Sequence, residues 1–261
     1  MKFTIVTVCY NSGNTLDRTI QSVLRQSYTD FEYIIIDGNS TDNTTEIVGK
    51  YVDHNAIKFI SEKDNGPYDA MNKGITVSTG DVISFLNSDD YYLHEKVLEM
   101  VYHKIKAVPD GDFFYGDLLV VDNNAPAPYI KRHASIDRHY MCTNALAHPS
   151  MFHKKDCFAK NGFFNLEYSI VADYEWTLKA MYKSGLKGVY FDVVTTVFSA
   201  GGLSTNDVYH TKHLTEREKV IEEFFSKEEI QYFRSFFMKK KVQVKKGMQL
   251  INCLIKRFFN I

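Results

Sequence analysis

Asn87-Ser88-Asp89-Asp90 follows directly on Asp81-Val82-Ile83-Ser84-Phe85-Leu86, a run that reads as a short buried strand. Two carboxylates and a side-chain amide at such a strand end make an oxygen-rich, negatively charged lip. Hard divalent cations such as Mg²⁺ or Mn²⁺ take ligands of this kind together with water and phosphate oxygens. Asp37 stands behind a second apolar run, Tyr33–Ile36. A carboxylate there can accept a hydrogen bond from a nucleobase N–H or a ribose hydroxyl. Tyr10 and Asn11, after the first apolar run, have the side chains to stack on a base and bond to it. Each residue also has a plainer role. Asp89 and Asp90 could cap a helix beginning near Leu93, Asp37 could form an Asx-turn before Thr41, and Tyr10 could be a structural aromatic.

The elements that must position these residues alternate. Phe3–Cys9 is apolar and β-rich, and Thr15–Gln26 places Leu16, Ile20, Val23 and Leu24 on one helical face. Tyr33–Ile36 reads as a strand, Asp42–Tyr51 as a helix, Ile57–Ile60 as a strand, Tyr68–Val77 as a helix and Val82–Leu86 as a strand. Apolar strands without alternation, linked by helices, predict an α/β fold with a mostly parallel sheet covered on both faces. Ligands of such sheets bind at the carboxyl ends of the strands. Thr7, Tyr10 and Asn11, Asp37, and Asn87 and Asp89 are therefore expected around one crevice. Gly66-Pro67 turns the chain into the helix at Tyr68. Asp69, Asn72 and Lys73 then lie near a helix start, which favours anions.

The second half is less regular. Asp112–Val121 and Tyr129–Ala134 read as strands about a turn at Asp122-Asn123-Asn124, Ala172–Ser184 as a helix and Val189–Phe198 as a strand closed by Gly201-Gly202. With 261 residues, 44% hydrophobic and 24% charged, the chain fits one large domain, or one domain with a small appendage. Four scattered cysteines with no CxxC pair predict reduced thiols rather than a disulfide frame or a zinc site. No basic leader precedes Phe3 and no apolar run reaches membrane-spanning length, so a cytoplasmic protein is expected. No Walker A or GxGxxG pattern occurs, which argues against a P-loop or dinucleotide fold.

Four segments occur in order: Thr7-Val8-Cys9-Tyr10-Asn11, Ile34 through Asp42, Glu62 through Gly74, and Phe85-Leu86-Asn87-Ser88-Asp89-Asp90. Together they resemble the family 2 glycosyltransferases of the GT-A fold, of the bacterial surface-polysaccharide type, over roughly residues 3–205. The resemblance implies that Thr7, Cys9, Tyr10, Asn11, Asp37, Lys63, Asp69, Asn72, Asn87 and Ser88 lie on the nucleotide-sugar side. It implies Asp89 as the ligand of a Mn²⁺ or Mg²⁺ ion bridging the diphosphate, with Asp90 a weaker candidate. Asn87 departs from the pattern, where Asp is commoner. Ile170-Val171-Ala172-Asp173-Tyr174-Glu175-Trp176 is similar to the segment carrying the family's catalytic base. Ala172 replaces an acid there, so Asp173 alone inherits the role, with an N-cap as the plainer alternative. One positioned carboxylate suffices to take a proton from an attacking hydroxyl. His148, in His148-Pro149-Ser150, and Trp176 are implied as acceptor or diphosphate contacts, against structural and core-packing alternatives. Gly201-Gly202-Leu203-Ser204 resembles the closing turn beside the active site.

These features predict an inverting, metal-dependent transferase acting on a nucleotide sugar, a UDP-sugar first, and on a saccharide acceptor in cell-surface polysaccharide synthesis. The Gln-x-x-Arg-Trp signature of processive synthases is absent, so one sugar per encounter is expected. The alternatives are a sugar-phosphate nucleotidyltransferase, which would need a Gly-rich basic loop in place of Tyr10-Asn11-Ser12-Gly13, and a non-catalytic nucleotide-sugar binding module. Residues 1–205 form the expected catalytic domain and 206–261 a helical extension. From Ile230 to Ile261 the chain has eight basic residues and no acid, leaving 23 Lys and Arg against 32 acids elsewhere. Apolar residues from Met248 to Phe259 fall near one helical face, which predicts peripheral contact with an anionic membrane, on the inner face of the cell membrane, where a lipid-linked acceptor would lie; the alternative is a helix docked on the acidic body or on a sister subunit. Nucleic acid is not an expected partner, given the acidic body.

Overall fold

A computed structural model describes residues 1–235 except 52, 123, 134–135 and 203–206. The first half alternates as expected: β1 (Phe3–Cys9), α1 (Leu16–Leu24), β2 (Phe31–Asp37), α2 (Thr44–Gly49), β3 (Ile57–Ser61), α3 (Pro67–Val77) and β4 (Val82–Phe85). Then follow β5 (Tyr91–Tyr92), α4 (Val97–Ala107), β6 (Phe113–Val121), β7 (Tyr129–Lys131), α5 (Arg138–Thr143), β8 (Met151–Lys154), α6 (Asp156–Asn161), α7 (Ala172–Tyr182), β9 (Gly188–Ser199) and α8 (His210–Phe224).

The strands form one mixed sheet in the order β3-β2-β1-β4-β8-β6-β9-β5, with β7 paired to β6. β3, β2, β1 and β4 are parallel neighbours, whereas β8 is antiparallel to both β4 and β6. Both faces of the parallel half are buried, which is why its strands are apolar throughout rather than alternating. Phe3, Ile5, Tyr33 and Ile35 join the core beneath α1, α2 and α4. Val6, Val8, Ile34 and Ile36 join the core on the other face with α3, α7 and α8.

One expectation shifts. No helix starts near Leu93; the chain turns after Asp90 into the two-residue strand β5, and α4 begins at Val97. Within the expected helical extension α8 begins at His210. Residues 227–235 are helical as well. The basic amphipathic segment beyond lies outside the described residues. Among the described residues, no helix is long and apolar enough to cross a membrane.

Candidate active site

Register brings the ends of the parallel strands together. Cys9 lies opposite Asp37 across β1 and β2, and Leu86, just past β4, donates its amide to Val6 of β1 at 2.9 Å. The loops after these strands are then tied to one another by side chains. Ser40 Oγ, which also donates to the Asp37 carboxylate, accepts the Asn11 amide at 2.8 Å. Asn11, in the left-handed region at φ 51°, accepts the Thr41 amide on its side-chain oxygen at 2.9 Å. Ser12 Oγ lies 2.8 Å from Ser88 Oγ, which joins the loop after β1 to the acidic turn after β4.

Asp37 is fully buried. Its carboxylate accepts from the Ser40 amide at 3.1 Å and from Ser61 Oγ at 2.7 Å, besides Ser40 Oγ. The Cys9 thiol points at it from 3.8 Å. Burial, then the Asp37 charge, pushes that thiol upward, so it stays protonated. Thr7 faces the α1 side rather than the crevice: it is fully buried and accepts the Tyr33 hydroxyl at 2.9 Å. Tyr10 is the opposite, 63% exposed.

In the acidic turn the two neighbouring aspartates differ. Asp90 is fully buried, with one carboxylate oxygen accepting the Ser199 amide at 3.0 Å and the other the Asn87 side-chain amide at 3.2 Å. Burial and the adjacent Asp89 charge push its carboxyl well above the usual range. Asp89 is half-buried. Burial raises its carboxyl also, opposed by its own backbone amide and then by the Arg18 guanidinium. Arg18 donates to the Asp89 carbonyl at 2.9 Å and to Ser199 Oγ at 3.2 Å, and lies 4.2 Å above the Tyr91 ring. The Gly201-Gly202 turn closes over the same acid: a β-carbon on Gly202 would come 3.1 Å from Asp89 Oδ2.

A half-buried carboxylate in an oxygen-rich turn is a donor of the kind that a hard cation takes. Asp89 thus fits the metal-ligand role, while Asp90, saturated by Ser199 and Asn87, anchors the turn to the end of β9. Among the described residues no group of three or more His, Cys, Asp or Glu could hold a metal. A cation at Asp89 would draw its other ligands from the nucleotide diphosphate and water.

From the same edge a chain of contacts leads to Asp173. Gly38, beside Asp37, packs so closely on Asp64 that an added β-carbon would meet Asp64 Oδ2 at 2.7 Å. Asp64 accepts the Gly66 amide at 2.9 Å ahead of α3, and Asp69 accepts the Asn65 amide at 2.9 Å. Acids of the chain itself therefore take up amides at this helix start, which differs from the expectation of an anion site there. Tyr68, in the first turn of α3, donates to Asp173 Oδ1 at 2.7 Å. Burial raises the Asp173 carboxyl and the Tyr68 hydrogen bond opposes that rise. From α8, Glu216 accepts the amides of Ser169 and Ile170 at 3.1 and 2.9 Å, fixing the segment that leads into Asp173.

The structure corrects other expected contacts. Trp176 is 1% exposed and donates its indole N–H to the Gly162 carbonyl at 2.8 Å. It packs against Phe158, Phe164 and His153 and offers a sugar no face. His148 is buried too, stacked on Phe85 at 5.0 Å, and burial pushes its imidazole down to about 3, so it is a neutral core residue. Asn72 uses both ends of its amide on the Phe164 main chain, at 2.9 and 3.0 Å. Lys63 is exposed, and its carbonyl accepts the Lys73 ammonium at 2.9 Å. Arg18, Asp64, Tyr68 and Glu216 were not singled out in the sequence. Asp64 and Tyr68 stand inside the Glu62–Gly74 segment, a signal available in advance, whereas nothing local marked Arg18 or Glu216.

A mixed sheet whose parallel strand ends carry loops tied to one another, with Asp173 of the second half linked to them through α3, is the architecture of a GT-A glycosyltransferase. A family model for glycosyl transferase family 2 matches residues 4–159, and the chain belongs to that family. It is 29% identical over 209 residues to a PGL/p-HBAD biosynthesis glycosyltransferase of Mycobacterium bovis, covering 79% of this chain and 80% of the relative. It is 30% identical to an uncharacterised glycosyltransferase of Mycobacterium tuberculosis over 67% of each chain. Among solved structures it resembles residues 1–349 of TarS from S. aureus in complex with UDP, with TM-score 0.67 and 20% identity. That match covers 85% of this chain and 64% of the TarS chain, so this chain spans slightly under two thirds of it. It also resembles the mannosyltransferase PcManGT of Pyrobaculum calidifontis in complex with GDP-Man and Mn²⁺, with TM-score 0.66, 15% identity and coverage of 90% and 69%. At these identities the two structural likenesses are of fold.

Proposed function

We propose that this glycosyltransferase is inverting, metal-dependent and non-processive, and moves one sugar from a nucleotide sugar, first a UDP-sugar, to a saccharide hydroxyl in cell-surface polysaccharide assembly. What supports the reading is the chain of contacts from Asp37 through Gly38, Asp64 and α3 to Asp173, together with the tie of the Asp89 turn to the loop after β1 through Ser88 and Ser12. Asp37, buried and already bonded to Ser40 and Ser61, shapes the loop at the base and ribose end, where Tyr10 lies open. Asp89 holds Mn²⁺ or Mg²⁺ on the diphosphate. The chemistry such a cation supplies is neutralisation of charge building on the leaving group. Asp173 takes the proton of the acceptor hydroxyl as its oxygen attacks the anomeric carbon, the bond to the diphosphate breaks, and nucleoside diphosphate departs. One in-line displacement inverts the anomeric configuration. The UDP and the GDP-Man with Mn²⁺ bound by the two structural relatives support a nucleotide sugar and a divalent ion. The biosynthetic name of the mycobacterial relative supports a glycoconjugate acceptor.

In this reading residues 1–205 are the catalytic domain and 206–261 a helical extension whose α8 braces the base segment. The basic segment beyond residue 235 would carry the protein to the acceptor's membrane. A panel of nucleotide sugars with Mn²⁺ and a saccharide acceptor tests the function. Acceptor-dependent release of nucleoside diphosphate is the expected result. Pyrophosphate release would indicate a nucleotidyltransferase, and binding without release a non-catalytic module.

A further inference from the structure

We propose that Tyr68 is a positioning residue for Asp173, its hydroxyl holding the carboxylate where an acceptor hydroxyl must deliver its proton. This deepens the reading above and rests on Asp173 being the general base.

Tyr68 is separated from Asp173 by 105 residues and from Ile170 by 102, yet its hydroxyl reaches Asp173 Oδ1 at 2.7 Å and the Ile170 carbonyl at 2.8 Å. One phenolic hydrogen is thus shared between the carboxylate and the backbone just ahead of α7. The ring is buried and packs on Phe164 at 5.6 Å. One turn further along the same face of α3, Asn72 grips the Phe164 main chain from both sides. The helix therefore begins at the nucleotide edge, through Gly66 and Asp64, and holds the base segment with its flank. Tyr68 reaches one oxygen of the Asp173 carboxylate, Oδ1, and main-chain amides at the start of α7 add to the hold on the group. Orientation of this kind is what general-base catalysis requires.

The electrostatics agree. Burial keeps the Tyr68 phenol neutral at all working pH, so it remains a hydrogen-bond donor. Charged and titratable groups also face this centre from the neighbouring elements: Lys131 from β7, and His213, Glu216 and Arg217 from α8. Arg217 lies 4.4 Å above the Tyr174 ring, next to the base. Against that fixed background, loss of the hydroxyl removes stabilisation of the carboxylate alone. The acid limb of a pH–rate profile then moves to higher pH.

The test is Tyr68→Phe in the full chain, with Asn72→Ala and Asp173→Asn in parallel. Tyr68→Phe is expected to keep its melting temperature and its affinity for UDP with Mn²⁺ near wild type. Its kcat at pH 7 falls roughly 10- to 100-fold, the worth of one hydrogen bond to a charged group, and its acid limb shifts upward. Asn72→Ala loosens the same segment without touching Asp173, and its acid limb stays in place. A Tyr68→Phe enzyme with wild-type kcat, or with reduced kcat and an unmoved limb, overturns the proposal. Should Tyr68→Phe fail to fold, fluorotyrosine at position 68 keeps the ring and hydroxyl while making a stronger donor. Its limb moves to lower pH, and an unmoved limb is again fatal. If Asp173→Asn retains turnover, the assignment of the base is what fails. If it is inactive while Tyr68→Phe behaves as wild type, positioning alone fails.

Discussion

The two sides of the crevice are held by different means. On the side proposed for the nucleotide, Asp37 ends β2 and Asp89 follows β4, the two parallel neighbours of β1, so strand register places them before any side chain acts. On the acceptor side Asp173 opens a helix that does not continue from a neighbouring strand end. Side chains from α3 and α8 fix it, and Tyr68 and Glu216 reach across 105 and 46 to 47 residues of chain to do so. A carboxylate placed by main chain tolerates changes around it. One placed by a few side chains loses its geometry when any of them is altered.

The largest expected effect lies on the side-chain-held edge. Asp173→Asn keeps the volume and the hydrogen bond from Tyr68 but cannot accept a proton at neutral pH. Turnover is expected to fall by about 10² to 10⁴-fold, with affinity for UDP and Mn²⁺ unchanged in calorimetry. An equal loss of nucleotide affinity would show that the two edges are not separable, and would break the comparison.

The seam between the halves gives the next largest effect. Phe85 of β4 stacks on His148 and meets His153 of β8 at 6.1 Å, with Phe158 and Phe164 closing the cluster. Burial pushes both imidazoles down to about 3, with the nearby His148 adding to the effect on His153. An unfolded histidine takes up a proton near pH 6.5. Between about pH 6.5 and 3 the unfolded chain therefore binds more protons, and stability falls as the pH drops. By pH 5 each histidine costs about 2 kcal/mol. Denaturant unfolding at pH 7.5 and pH 5 checks this, and His148→Phe should remove roughly half of the acid-induced loss. A wild-type protein equally stable at both values would mean that these rings are not buried as neutral groups.

Asp89→Asn probes the register-held edge. The amide keeps the shape of the turn, and Asp90 still anchors it to Ser199. Loss of the ligand charge is expected to lower turnover with Mn²⁺ by about 10² to 10³-fold, comparable with removing a single electrostatic contact from a transition state. The melting temperature should hold or rise, because Asp90 is freed of a like charge beside it. Metal-dependent turnover at the wild-type rate would remove Asp89 from the role assigned to it.

The same contrast explains what could be read from the chain. The strands behind Cys9, Asp37 and Asn87 are apolar without interruption because both faces are buried, and that pattern is local. The four ordered segments brought Asp37 and Asp89 to one edge for the same reason. β5 has two residues, too few for any periodicity, and its presence rather than a helix at Leu93 depends on pairing with Val197 and Thr196 of β9. Trp176 and His148 looked available because an aromatic or imidazole carries no mark of its burial. Arg18 and Glu216 act on backbone groups distant in sequence, which no local spacing announces. Tyr68 was visible within its segment, but its partner was not.

The smallest effect separates two aromatic residues that the sequence treats alike. Trp176 is enclosed, whereas Tyr10 lies open beyond β1, its carbonyl accepting Ser12 Oγ at 3.3 Å. It stands next to Cys9, which pairs with Asp37 at the strand ends where the nucleotide is proposed to bind. Stacking of this kind contributes about 0.5–1.5 kcal/mol, at most about tenfold in affinity. Tyr10→Ala should weaken UDP binding by that factor, leave kcat at saturating nucleotide sugar unchanged, and leave the melting temperature where it was, since an exposed ring supports little of the fold. Tyr10→Phe should restore affinity if the ring face is the contact. If it does not, the hydroxyl is what matters, and Tyr10 belongs with the hydrogen-bonding residues at this edge instead of serving as a platform above the base.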